Sequence, residues 1–136
     1  MNPNTLNLLS LARKAGLAEL GEDAVGSASR AGHARLILVA EDASDHTWRR
    51  AGNFARAASC PIVRVPAEKQ ARGWAVGRST CALAALTDPG FALRFAESLG
   101  TLSAEDMELL QQRNEKAQKL RQEARAHKTN LKHGKK

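Results

Sequence analysis

The sequence predicts an α/β fold, a three-layer α/β/α sandwich around a four-stranded sheet that is mixed but mostly parallel, followed by a C-terminal basic helical tail. Two observations support this prediction. Short apolar runs alternate with segments of helical periodicity along most of the chain. The run at 36–40 is continuously apolar, which is typical of a strand covered on both faces, as in a mostly parallel sheet.

Helices are indicated by caps, apolar stripes and glycine stops. Asn4 or Thr5 can cap a first helix that ends before Gly16, and Ser44 can cap a later one. Gly32 and Gly100 follow two more periodic segments at the position where glycine ends helices. The predicted helices cover residues 5–15, 22–30, 45–58, 67–75 and 91–99.

Strands are indicated by short apolar runs between turn residues. Pro61 is tolerated because it stands at the start of its strand. The predicted strands are a short edge strand at 17–20 and longer ones at 36–40, 61–65 and 81–86. With the helices, they alternate in the order expected of a layered α/β domain.

The net charge of +7 is concentrated near the C-terminus. Nine of the 21 Lys and Arg residues, but only two of the 14 acidic residues, lie in 113–136. We therefore expect a domain at 1–100 and a basic tail at 101–136, helical to about His127 and then disordered. Such a tail suits a polyanion, nucleic acid above all, although it is also consistent with a solubilising end.

The sequence disfavours several other classes of protein. Its apolar stretches are far shorter than the about 18 residues of a membrane span, and no secretory leader is recognisable. We expect Cys60 and Cys81 to be reduced, packed thiols of a cytoplasmic protein. No enzyme motif and no metal-ligand spacing occurs, so we expect neither catalysis nor a cofactor.

The first candidate site is the segment from Gly21 to Arg30. A helix N-terminus offers free N–H groups to phosphates, whereas Glu22 and Asp23 could accept hydrogen bonds from the N–H groups of guanine. Ser27 and Arg30 would then contact the RNA backbone. The small size of Gly26 indicates a close approach, either of a ligand or of a neighbouring helix, and the sequence favours neither.

The second candidate is the predicted loop after the helix at 67–75. It combines an apolar residue, a flexible glycine, a cation and a hydroxyl in Val76, Gly77, Arg78 and Ser79. An apolar side chain can pack on a splayed base while the polar ones hold the backbone. The alternative is an ordinary surface turn before a strand.

Six motifs resemble, in order, the ribosomal protein L-seven-Ae / L-thirty-e family of kink-turn RNA-binding proteins, in particular its small bacterial members. They are LLSLARKAG at 8–16, GEDAV at 21–25, LILVAEDAS at 36–44, PIVRV at 61–65, AVGR at 75–78 and ALTDPGF at 85–91. The resemblance covers about residues 4–98. It implies an α/β/α sandwich that binds sharply kinked RNA, usually ribosomal RNA.

The resemblance also implies where RNA is read. The family's reading segment starts at the glycine matching Gly21 and continues with Thr, Asn, Glu and, further on, Lys. The matching residues are Glu22, Asp23, Ala24 and Ser27, so the carboxylate is absent at Ala24 and the cation at Ser27. The family's second contact, an apolar loop on an extruded base, corresponds to Val76–Ser79.

Two hypotheses follow. The first is a non-enzymatic, ribosomal-protein-like factor of the translation apparatus that binds structured RNA. The second is a protein-interaction or ribosome-assembly module that has lost specific kink-turn reading and whose RNA affinity resides in the basic tail.

Overall fold

The structure, a computed structural model, describes residues 3–66 and 82–134, with side chains up to residue 126. The predicted helix at 67–75, the loop Val76–Ser79 and Cys81 lie outside the described residues. The described elements are α1 Pro3–Lys14, β1 Ala18–Leu20, α2 Glu22–Arg30, β2 Leu36–Ala40, α3 Asp45–Ala58, β3 Ile62–Val65, β4 Leu83–Leu86, α4 Pro89–Leu99 and α5 Ala104–Gly134.

The strands form one mixed sheet in the order β1-β4-β2-β3. This confirms the four-stranded mixed sheet, but the expectation that it is mostly parallel is wrong. Among the described strand pairs, only β2–β3 is parallel, whereas β4 is antiparallel to both of its neighbours, β1 and β2. The apolar runs misled the prediction because a strand covered by helices on both faces looks the same in either direction.

Helices cover both faces of the sheet, which confirms the sandwich. Leu36 and Leu38 of β2 point to one face, where they pack in a core with Phe95 of α4. Ile37 and Val39 point to the other face and belong to a second core under α2 and α3. Successive side chains of a strand point to opposite faces of the sheet. Because helices cover both faces, every residue of β2 is buried.

Two caps act as the local sequence suggests. The Ser44 side chain accepts a hydrogen bond of 3.2 Å from the Thr47 N–H at the start of α3. The Asp88 carboxylate accepts one of 3.0 Å from the Phe91 N–H. Because Asp88 is the cap and Pro89 fits the first helical turn, α4 begins at Pro89, slightly before the predicted start at 91.

Helix α5 differs from the expected solvated helix in two respects. Its backbone is helical to Gly134, beyond His127, where we expect the helix to end. Its first turns are not fully solvated, because Leu110 is 1% exposed and Met107 packs against the same core. The division between residues 1–100 and 101–136 stays a prediction. No helix in the described part of the chain is both long and apolar enough to span a membrane.

Candidate nucleic-acid interface

The N-terminus of α2 lies at one end of the sheet, which we call the α2 end. Both β1 and β2 are antiparallel to β4, so they point the same way and Gly21 and Glu41 follow their strands at this end. The Gly21 N–H donates a 2.9 Å hydrogen bond to the Leu83 carbonyl oxygen, which ties the start of α2 to the start of β4. The chain also leaves β3 and re-enters β4 at the α2 end, and the predicted loop Val76–Ser79 falls between them.

Gly21 is required by the backbone at this position. It is the N-cap of α2 with φ of 90°, a conformation that L side chains rarely adopt. Since no described side chain caps α2, N–H groups of its first turn are available to an acceptor, and the helix dipole makes this end positive. Glu22 and Asp23 are exposed beside these groups.

Glu22 is engaged by a neighbouring helix. Its Oε1 lies 2.7 Å from Nε of Arg50 in α3, and the Arg50 guanidinium lies 5.5 Å from the centre of the Phe54 ring. The carboxylate that the sequence predicts at a guanine edge is therefore also the partner of an arginine on α3.

The structure explains Gly26 by helix packing. A Cβ atom at Gly26 would lie 3.2 Å from ring atoms of Phe54 and 3.1 Å from Nη1 of Arg30. These distances are tighter than ordinary van der Waals contact, so the close approach is that of α3. Of the two possibilities that the sequence leaves open, the structure supports the neighbouring helix.

The predicted residues of α2 lie on two sides of the helix. Glu22, Gly26 and Arg30 are spaced by four residues and form a stripe towards α3. Ser27 instead lines an open groove of about 550 Å³ on the other side. The groove is lined by Glu19, Ala24, Ser27, Ala28, Ala31, His33, Arg35 and Thr87.

Sequence reasoning missed the arginines beside the α2 end. Helix α3 exposes Arg49 and Arg50 in its first turns, and Arg64 of β3 stacks 4.1 Å above the Trp48 ring, whereas Arg56 is exposed in the last turn of α3, towards the opposite end of the sheet. The available signal was three arginines within one amphipathic helix. Trp48 itself packs against the core under α2 and α3. The arginines beside the α2 end lie among the exposed carboxylates of Glu41, Asp42 and Asp45, so this side of the α2 end carries charges of both signs.

The described residues contain no group of three His, Cys, Asp or Glu side chains close enough to hold a metal ion. The resolved chemistry of the α2 end is instead a set of free N–H groups, an exposed carboxylate at Asp23 and several guanidinium groups. Together these groups can accept and donate hydrogen bonds to base edges and attract phosphates.

No protein-family model matches the sequence. RNA-binding protein YlxQ of Bacillus subtilis (strain 168) is 35% identical over 89 residues, which cover 62% of this chain and 84% of that protein. A solved structure of a protein with unknown function from Bacillus halodurans C has a TM-score of 0.63 at 24% identity and covers 71% of this chain and 96% of its own.

The Giardia lamblia 15.5kD RNA binding protein has a TM-score of 0.55 at 16% identity and covers 80% of this chain and 92% of its own. The two solved structures support the α/β fold. At 35% identity over 84% of its length, the likeness to YlxQ shows that the chain belongs to the L-seven-Ae-like family, of which YlxQ is a bacterial member.

Proposed function

We propose that this protein is a non-enzymatic RNA-binding factor of the translation apparatus that binds kinked, structured RNA, namely ribosomal RNA, in the cytoplasm. The observation that carries the proposal is the α2 end of the sheet. There, the uncapped start of α2 lies beside Arg50 of α3 and the ends of the strands that flank Val76–Ser79 in the sequence. The name of the relative YlxQ, an RNA-binding protein, supports the same function.

Each group has a defined task in this proposal. The Asp23 carboxylate accepts hydrogen bonds from the N–H groups of guanine in the sheared G·A pairs at the kink, and the N–H groups after Gly21 donate to acceptor atoms of the RNA. Ser27 follows Asp23 by one helical turn and hydrogen-bonds the RNA backbone from the groove beside α2. Residues Val76–Ser79 pack on an extruded base.

The arginines of α3 supply attraction for phosphates. Ser27 lacks the cation that other family members carry at this position, whereas Arg49 and Arg56 are exposed on the adjacent helix. Each phosphate neutralised by such a side chain adds affinity that falls with rising salt concentration. Arg49 therefore attracts phosphates on the α3 side of α2, whereas Ser27 on the other side of the helix offers only its hydroxyl.

The second candidate function is a protein-interaction or ribosome-assembly module with RNA affinity only in α5 and the residues after it. The uneven charge favours this candidate, because residues 113–136 carry the whole formal net charge of +7. It predicts that binding ignores the RNA kink and disappears at high salt.

A titration of the full chain against a kink-turn RNA and a matched straight duplex, at two salt concentrations, separates the two candidates. We expect Asp23→Ala to weaken kink-turn binding by about tenfold, the value of one hydrogen bond to a charged acceptor. Duplex binding should stay constant or rise slightly, because a repulsive carboxylate is removed.

The matched control is Glu97→Ala, which removes an exposed carboxylate from α4 on the other face of the sheet. It should leave the preference for the kink unchanged. If the parent chain binds both RNAs equally and only at low salt, the second candidate is correct and specific reading has been lost.

A further inference from the structure

A cationic cleft lies at the end of the sheet opposite the α2 end. Arg35 immediately precedes β2, and its N–H donates a 2.8 Å hydrogen bond to the carbonyl oxygen of Leu86, the last residue of β4. Helix α5 passes over this end and forms one wall of an open cleft of about 430 Å³, which we call the α5 cleft. It is lined by Arg35, Pro89, Arg113, Lys116, Ala117 and Leu120.

The two arginines of the α5 cleft hold unused donors. Nε of Arg35 and Nη1 of Arg113 are buried and have no hydrogen-bond partner within the described part of the chain. Nη2 of Arg113 donates to the carbonyl oxygen of Ser59, which fixes the guanidinium in place. A buried donor without an acceptor is unfavourable, so an anion that displaces the atoms covering these nitrogens and accepts from them relieves that cost.

Two neighbouring groups of the α5 cleft add no free negative charge to it. Burial raises the pKa of the Cys60 thiol to about 11 against the opposing effect of Arg113 and Arg35, so the neighbouring sulfur stays neutral at pH 7. Asp88 is the acidic residue of the nearby α4 cap, and it already accepts from the Phe91 N–H and lies 3.6 Å from Arg121.

We propose that the α5 cleft binds a phosphodiester group of an RNA strand, with Arg35 and Arg113 as the donors and Lys116 at the rim. A tetrahedral phosphate presents several oxygens, so it can accept from two guanidinium groups at once. The choice of RNA as the source of the phosphate rests on the proposed function, and the cleft adds a second anchor to it.

The position of Arg35 connects this anchor to the α2 end. Arg35 lines both the α5 cleft and the groove beside α2 that contains Ser27. The groove that contains Ser27 and the α5 cleft therefore meet at Arg35, so one RNA strand can contact both. Leu120, which is 56% exposed at the cleft, offers an apolar surface to a ribose.

The test is a titration of the full, isotope-labelled chain followed by NMR. The guanidinium Nε–Hε signals of Arg35 and Arg113 are assigned with Arg35→Gln and Arg113→Gln variants. A kink-turn RNA with extended flanking helices and inorganic phosphate are added in separate arms. We expect the RNA to shift both signals together with the backbone amides after Gly21.

Affinity measurements accompany the spectra. Arg35→Gln and Arg113→Gln should each weaken RNA binding by about tenfold and reduce the salt dependence by about one phosphate contact. The matched control is Arg125→Gln, which removes the same charge from an exposed position on α5 outside the cleft, and should change affinity less than about threefold.

Two further variants guard against a folding defect at Arg113. Arg113→Lys keeps the charge, and Lys116→Gln alters only an exposed side chain, so both should fold normally. Weaker RNA binding by Lys116→Gln, with unchanged thermal stability, supports the cleft independently.

The outcomes separate this inference from the proposed function. RNA shifts confined to the amides after Gly21 would overturn the cleft and leave the proposed function intact. Shifts of the arginine signals by inorganic phosphate but not by RNA would also overturn it, since the cleft would then take a free anion. The absence of any RNA-induced shift would overturn both.

Discussion

Oε1 of Glu22 lies 2.7 Å from Nε of Arg50, so the first residue of α2 is joined to α3 by an ion pair. The two side chains are 43% and 45% exposed, respectively. Solvent screens a pair of this kind, and its contribution to folding stability is below about 1 kcal/mol. Its main consequence is therefore electrostatic, because Glu22 cancels one positive charge beside the proposed RNA site.

The first prediction concerns this ion pair. Glu22→Gln releases Arg50 from its partner, so we expect tighter binding of both a kink-turn RNA and a matched duplex at low salt, with little change in the free energy of unfolding. Glu97→Gln on α4 serves as the control for the general effect of a lost carboxylate. If Glu22→Gln instead weakens kink-turn binding alone, Glu22 itself reads guanine, as the sequence predicts.

The second prediction compares two glycines inside helices. A Cβ at Gly26 would meet the Phe54 ring at 3.2 Å, whereas at Gly52 the nearest atom is Nη1 of Arg56 at 4.0 Å. We expect Gly26→Val to lower the free energy of unfolding by about 1–3 kcal/mol through overpacking. Gly52→Val should change it by no more than about 0.5 kcal/mol, because space is available and valine is a slightly better helix former than glycine.

Chemical denaturation of both variants measures this difference. Equal effects at the two positions would mean that Phe54 moves aside at no cost and that α2 and α3 are not closely packed. Binding assays on the same variants are informative too. If Gly26 serves only helix packing, the folded fraction of Gly26→Val should bind RNA as tightly as the parent chain does.

Local chemistry explains why most of the fold could be predicted. The Ser44 cap and the apolar run of β2 depend on neighbours in sequence, so they are visible without a structure. Whether β4 runs parallel or antiparallel to β2 depends on the end of the sheet at which the chain enters it. The apolar residues of β4 do not encode that end. The burial of Leu110 likewise depends on how α5 returns over α4, which helix propensity does not reveal.

The same distinction applies to the candidate site. The segment after Gly21 was identified from helix-start chemistry and family resemblance, and the structure places it at one end of the sheet. The partner of Glu22 could not be identified, because Arg50 belongs to another helix and only tertiary packing brings the two together. The role of Gly26 is ambiguous in the sequence for the same reason, because its neighbour Phe54 belongs to α3.

The third prediction tests whether the start of α5 belongs to the folded core. Leu110 is 1% exposed and Leu120 is 56% exposed on the same helix. Leu110→Ala should lower the free energy of unfolding by about 2–5 kcal/mol, as expected for a buried leucine. Leu120→Ala should change it by less than about 0.5 kcal/mol.

Thermal and chemical unfolding of the two variants provide the measurement. Similar small effects would show that α5 contributes nothing to the core. The expected large effect at Leu110 has a practical consequence, since it argues for neutralising single cations of α5 in the intact chain, rather than deleting the helix, when its RNA affinity is measured.

The fourth prediction concerns the stability of the protein at alkaline pH. Burial raises the pKa of the Cys60 thiol from 9.0 to about 11, and the positive charges of Arg113 and Arg35 oppose this shift. Between these values the folded chain retains a proton that the unfolded chain has lost. The contribution of Cys60 to stability is therefore complete below pH 9 and is lost as the pH rises towards 11.

Comparison with Cys60→Ala isolates this contribution. The chain contains no tyrosine, and the titration of lysines is common to both proteins, so it cancels in the difference. We expect the difference in unfolding free energy between the two proteins to change by roughly 1–3 kcal/mol between pH 8 and pH 11, to the disadvantage of the parent chain. A difference that stays constant over this range would mean that the thiol is hydrated in the folded protein.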